Sequence, residues 1–320
     1  MNYEQVTEIA DAKLYKGYML YPCQGSAIKH TTPCRIGTLH PAGNSAGKPD
    51  WMRTQCLVVG EAPRVSIAAR FLHLLNRDLF ELDAPADTLP RDWPQQVTPV
   101  ASIRVGETLY QTAHEAIKRE IRLSTQSLQE MVGYARHDAF SFSLGMDVQS
   151  LESHGKCVAV LHRSQSSITG DIEMTCEAVA EHVFKLTVTL QNTTQWSGHP
   201  IRQREDRLDC IFVSAHLILG VEHGEFVSAI NPPSKWATSA ATCQNQGLWP
   251  VLVGDLPDRD WMLAAPIVLR DYPQIDSPSP SEILAEAKGD ETSPQRIRTR
   301  NDHKKLKICS SAPRARSISK

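Results

Sequence analysis

Cys23, His30, Cys34 and His40 bring two thiols and two imidazoles within eighteen residues. These are the ligand types that zinc and nickel take up, so the four are the candidate metal ligands. Their spacing matches no closed zinc knuckle, and a loop that carries unrelated Cys and His is the plainer account. No bound cofactor is expected. A second cluster, Glu222, His223 and Glu225, crowds a turn between two apolar runs. Carboxylates beside an imidazole can transfer protons once a cleft strips water from them, which makes these three the candidate catalytic residues. His216 lies inside an apolar run and is expected as a core histidine with one satisfied hydrogen bond.

Other patterns fail on chemistry. Gly43-Asn44-Ser45-Ala46-Gly47-Lys48-Pro49 suggests a phosphate loop, but only three residues separate the glycines, and Pro49 stands where a magnesium-binding hydroxyl belongs. His114-Glu115 starts a zinc-protease pattern that Lys118 breaks. Asp255, Asp258 and Asp260 lack the glycine and the terminal bidentate carboxylate of a calcium loop, and read as a solvated turn. The Gly-x-Gly-x-x-Gly dinucleotide fingerprint is absent from the chain.

The elements that must carry these residues are mostly strands. Ile172, Met174, Cys176 and Ala178 alternate with polar neighbours, as do Phe184, Leu186, Val188 and Leu190, which predicts a hairpin with one wet face. Cys210 to Leu219 is nearly all apolar and predicts a strand covered on both faces. Phe226–Ile230, Leu248–Val253 and Ala264–Leu269 continue the pattern. In the N-terminal half, Leu14–Tyr21, Cys56–Val59, Ser66–Leu75, Ile103–Val105, Ala116–Leu123 and Ala139–Leu144 read as strands. Leu109, Ala113, Ile117 and Ile121 also fit a helix at i, i+4, and periodicity does not separate the two. Short helices are predicted at Pro233–Cys243 and Ser281–Ala287. The expected class is mainly β, a β-rich α+β chain of antiparallel sheets. Residues 1–150 form a β-rich region, 151–280 a sandwich-like region, and 281–320 a short helix and a disordered basic tail.

Composition agrees with a folded chain: 41% of residues are hydrophobic and 22% charged, enough to bury a core. The acidic start lacks the basic and apolar regions of an export signal, and no apolar run is long enough to cross a bilayer, so a cytoplasmic protein without membrane insertion is expected. Eight scattered cysteines are too sparse for a disulfide scaffold, and Cys176 and Cys210 are expected to pack as reduced thiols. From Glu291 onward nine Lys/Arg face two carboxylates, a net +7 that leaves −9 on residues 1–290. That tail has no aromatic side chains for stacking on bases, which argues against a nucleic-acid arm.

Several blocks carry a family resemblance: Ala10 to Pro22, Ser26–Lys29, Thr54–Gly60, Gly224–Ser228, Trp249–Gly254 and Ala265–Leu269. Together they resemble an uncharacterised bacterial protein family encoded in nickel–iron hydrogenase gene clusters. The likeness spans residues 10 to roughly 280. It implies a partner among hydrogenase subunits or maturation factors and brings no catalytic residues with it. Where the family runs Tyr-Pro-Tyr-Arg and Leu-Lys-Asn, this chain has Tyr21-Pro22-Cys23-Gln24 and Ile28-Lys29-His30, so the Cys/His cluster is its own. From Lys288 the chain turns basic where the family continues as an acidic helix, which reads as a truncated or frame-shifted end. The expected function is a non-catalytic accessory of hydrogenase assembly or regulation that acts by protein binding. The alternative is an enzyme whose Glu222, His223 and Glu225 work in an inter-domain cleft.

Overall fold

The computed structural model describes residues 2–15, 36–43, 47–195 and 208–275. Cys23, His30 and Cys34, the helix at Ser281–Ala287 and the basic tail lie outside the described residues. The described chain begins with helix α1 (Tyr3–Leu14), started by a reciprocal cap in which Asn2 Oδ1 accepts from Gln5 N and Gln5 Oε1 accepts from Asn2 N, each at 3.0 Å. Val6, Ile9, Ala10 and Leu14 share its buried face. The strand expected from Leu14 to Tyr21 therefore does not start there: Leu14 is the last helical residue and Tyr15 the cap.

In chain order there follow β1 (Trp51–Val59), β2 (Arg64–Ala86), β3 (Val97–Val100), β4 (Ser102–Val105), β5 (Thr108–Gln111), β6 (Ala113–Arg122), β7 (Gln126–Ser127) and β8 (Ala135–Phe142). Then come β9 (Gly145–Ser153), β10 (Lys156–Gln165), β11 (Ile168–Ala180), β12 (Val183–Asn192), β13 (Phe212–Glu222), β14 (Glu225–Phe226), β15 (Trp249–Val253) and β16 (Trp261–Ala265). The fold is mainly β and antiparallel throughout its named ladders, as the alternation predicts. The region expected as either strand or helix is strand. Ile117 and Ile121 are four apart, an even spacing that puts them on one face of a strand as well as of a helix, and β6 uses the strand reading against β2.

Five strands form one sheet in the order β14-β1-β12-β11-β8. Its centre is the expected hairpin of β11 and β12, closed through His182 at φ +57°. A nine-stranded sheet is built along β2, which spans 23 residues. At Leu72 β2 has Val213 on one flank and Lys118 on the other; at Asn76 it has Ser164 and His114. Because β6 spans both rungs, β13 and β10 follow one another along the opposite flank of β2. Beyond them lie β16 and β15 at one end and β9 at the other.

The two sheets face each other across the main core. Phe71 and Phe212 stack at 4.1 Å and 11°, with Phe140 and Phe142 of the second sheet's edge tilted onto Phe71. A second core joins the outer face of the nine-stranded sheet to α1 through Val6, Ile9, Leu14, Leu72, Val213, Ile218 and Leu263. The order of layers is thus sheet, sheet, helix. β13 is buried along nearly its whole length, with a bulge at Ser214, φ +51°. Ala215 N there donates to Gly37 O, and Gly37 at φ +61° approaches so closely that a Cβ would sit 2.5 Å from Pro266.

Candidate functional site

Glu222 ends β13, His223 occupies the turn at φ +57°, and Glu225 opens β14; all three are exposed. A proton-transfer role needs the desolvation that these positions lack. Of the four candidate metal ligands only His40 is described. It is half-buried, with its backbone N–H donating to Pro49 O at 2.8 Å. Among the described residues no group of three or more His, Cys, Asp or Glu is placed to hold a metal ion. Asp255, Asp258 and Asp260 follow β15, with Asp258 N donating to Asp255 O across a turn. Cys176 and Cys210 are buried and outside any disulfide, and burial pushes the Cys176 thiol up to about 11. Against the expectation that the chain lacks a Gly-x-Ser-x-Gly elbow, that spacing occurs at Gly43, Ser45 and Gly47. A nucleophile elbow needs a helix after the turn, whereas β1 follows here.

A buried ionic cluster joins α1 to the sheet. Arg70 of β2 lies between His216 of β13 and Glu120 of β6, its register partners, and is 4% exposed. Its Nη2 donates to Asp11 Oδ1 at 2.9 Å, while Nε sits 3.0 Å from Glu120 Oε2 off the N–H line, an ion pair without a hydrogen bond. Lys118 reaches the second oxygen of Asp11, and Arg122 the second oxygen of Glu120. The Tyr15 ring packs between Arg70 at 5.6 Å, Lys118 at 5.7 Å and His216 at 5.4 Å.

Each cation here is matched to a carboxylate, so the cluster fastens the helix and leaves no acid or base poised for transfer. His216 Nδ1 lies 2.8 Å from the Ser214 carbonyl, an acceptor, so that nitrogen carries the hydrogen and Nε2 the lone pair. Burial, then the charge of Arg70, lowers His216 to about 3, and the ring is neutral at ordinary pH. Burial likewise raises the Tyr15 phenol. Beside α1 runs an open groove of about 600 Å³ lined by Asn2, Tyr3, Glu4, Thr7, Glu8, Asp11 and Arg122, with the Arg122 guanidinium 4.1 Å from the centre of the Tyr3 ring. None of this cluster was legible as a site in the sequence. Its members lie up to 205 residues apart, from Asp11 to His216.

The sheet edges differ from one another. An unpaired edge exposes backbone N–H and C=O groups to any passing strand, and folded proteins blunt such edges with charge, proline, shortness or a cover. β6 carries Glu115, Lys118, Arg119, Glu120 and Arg122. β8 carries Arg136, His137 and Asp138, tied into pairs with one another and with Asp171. β3 is four residues long and contains Pro99, and β14 has two residues. β15 contains Pro250, and the chain at 271–272 covers it: Leu252 N donates to Asp271 Oδ1 and Tyr272 N to Leu252 O.

β9 has the least of these protections: it carries Asp147, and only towards its end is it covered, where Leu151 is buried in one cluster with Val105 of β4. It pairs with β10 on one side and has no strand partner on the other among the described residues. From Leu144 to Leu151 the one charge is Asp147. Leu144, Met146 and Val148 alternate along it with 65%, 72% and 41% of their surfaces exposed. Among the described residues, three of the ten large apolar side chains most open to solvent thus fall on five consecutive residues. No protein-family model matches the chain, and no curated protein does.

Proposed function

We propose that the protein is a non-catalytic accessory that acts by protein binding, with β9 as its docking edge. The observation that carries this reading is the exposed apolar stretch from Leu144 to Val148 on an edge without a strand partner, where the other edges among the described residues are short, charged or covered. Adding a strand to such an edge satisfies its backbone groups and buries alternate side chains, a recurrent mode of protein recognition. The blocks around Leu14–Pro22, Thr54–Gly60 and Trp249–Gly254 support a partner drawn from nickel–iron hydrogenase subunits or their maturation factors, met in the cytoplasm during assembly or regulation. The exposure of Glu222, His223 and Glu225 counts against the enzymatic alternative.

The test is co-purification from a host that expresses the hydrogenase, with tagged wild-type protein and a Val148→Pro variant. Proline removes an N–H and stiffens the edge against an added strand. Hydrogenase or maturation proteins recovered with the wild type and lost with the variant are expected. Recovery of wild type free of them would overturn the reading.

A further inference from the structure

We infer that the partner docks on β9 as an extended segment in which apolar residues alternate with basic ones. This rests on the docking reading above and names the chemistry of what docks. Met146 and Val148 share the outer face of the sheet with their register partners on β10, Ser164 and His162. That face continues into an aromatic platform: Phe80 lies 5.7 Å from Trp93, and His162 lies 6.1 Å from Trp93. Alternate residues of an added strand would lie over Met146 and Val148 and bury apolar surface there. The residues between them would fall on the opposite face, beside Asp147 and Gln149.

Charge decides what those intervening residues are. Leu144 to Ser153 contains Asp147 and Glu152 and no Lys or Arg. The neighbouring cation, Arg163, is already engaged by Glu115 at 2.9 Å and reaches Asp147 at 3.2 Å. Over β9, β10 and residues 76–86 of β2, Asp78, Glu81, Asp83, Asp147 and Glu152 outnumber Arg77, Lys156 and Arg163, a net −2. A second copy of this chain would set one acidic, cation-free edge against another, and like charges facing each other across strands are destabilising. A strand with Lys or Arg opposite Asp147 gains where a second copy loses.

The experiment uses the full chain and two labelled seven-residue peptides, Thr-Val-Lys-Val-Arg-Val-Thr and the same sequence with Glu at both basic positions, read by fluorescence anisotropy. The basic peptide is expected to bind about tenfold or more tightly than the acidic one, a difference of about 1.4 kcal/mol or more. Asp147→Lys, a surface change that leaves the core intact, is expected to reverse the order, and Val148→Pro to abolish both. Equal affinities, or an order untouched by Asp147→Lys, overturn the inference. So does failure of both peptides to bind, whether the protein is monomeric or sediments as a dimer that Val148→Pro dissolves. Hydrogenase proteins captured in a Val148-dependent way, with no charge preference among peptides, would sink the partner chemistry and leave the docking edge standing. Loss of that capture as well would sink both.

Discussion

Lowering the pH from 7 to 5 should destabilise this protein through two histidines that the fold holds neutral. His73 is 1% exposed and His216 is fully buried. His73 Nε2 donates to Asp209 O at 3.0 Å, and its Nδ1 faces Arg119 Nη2 at 3.5 Å, an arrangement with no place for a second proton. Burial first, and then the charge of Arg119, lowers its pKa to about 4; burial and Arg70 lower that of His216 to about 3. In the unfolded chain both return to about 6.5, so as pH falls the unfolded state takes up protons before the folded state does. The stabilisation is therefore complete above about pH 6.5 and drains away between there and the folded values. Between pH 7 and 5 each imidazole accounts for about 2 kcal/mol of lost stability, and the pair for about 4 kcal/mol, a large share of what a domain possesses. Urea unfolding followed by tryptophan fluorescence at the two pH values measures it. The comparison is with a His73→Gln/His216→Asn variant, whose amides keep the donors to Asp209 O and Ser214 O but do not titrate. Carboxylate contributions are common to both proteins and cancel. The variant should lose about 4 kcal/mol less than the wild type over this range. Equal losses would refute the argument, because they would mean that these imidazoles accept protons as easily folded as unfolded.

Two other perturbations test the packing. Phe71→Ala removes the ring stacked on Phe212 and touched by Phe140 and Phe142, and should cost about 3–5 kcal/mol in urea unfolding; a loss below about 1 kcal/mol would deny the main core its centre. Asp11→Ala leaves Arg70, buried to 4%, without its hydrogen-bonded carboxylate and should cost about 2–3 kcal/mol. Arg70→Met removes the buried cation itself, while Asp11 keeps Lys118 and Glu120 keeps Arg122, and should cost about 1 kcal/mol or less. The reverse ranking of these two variants would show that the cluster does not fasten α1.

The strands that proved easiest to read are those whose environment is uniform along their length. β11 and β12 each have one core face and one wet face, so their side chains alternate, and β13 is covered on both faces, so its run is apolar throughout. Helix α1 escaped the reading although its signals are present: Asn2 and Gln5 form the cap, and Val6, Ile9, Ala10 and Leu14 recur at helical spacing. The run from Leu14 to Tyr21 reads as a strand, yet its first residue ends the helix. β6 was ambiguous because Ile117 and Ile121 satisfy both periods.

Candidate sites named from residue types depend on surroundings that the sequence does not show. Glu222, His223 and Glu225 are close in sequence, but reactivity depends on desolvation, and the turn that joins β13 to β14 leaves all three exposed. Arg70, Asp11 and His216 are far apart in sequence, and nothing local in any of them foretells a shared cluster. The bareness of β9 was equally hidden: Leu144, Met146 and Val148 look like any alternating strand, and only the order of strands reveals that β9 comes last and faces water.

By itself the amino-acid sequence settled the class of the fold, the central hairpin, the buried strand and the core role of His216, because side-chain polarity along a strand mirrors what lies on either face. Which strand stands beside which, how β2 is shared by β13 and β10, which histidines lose their protons and which edge stays open were decided only by the tertiary structure. These properties belong to pairs and layers of residues distant in the chain, and local polarity carries no record of its distant neighbours.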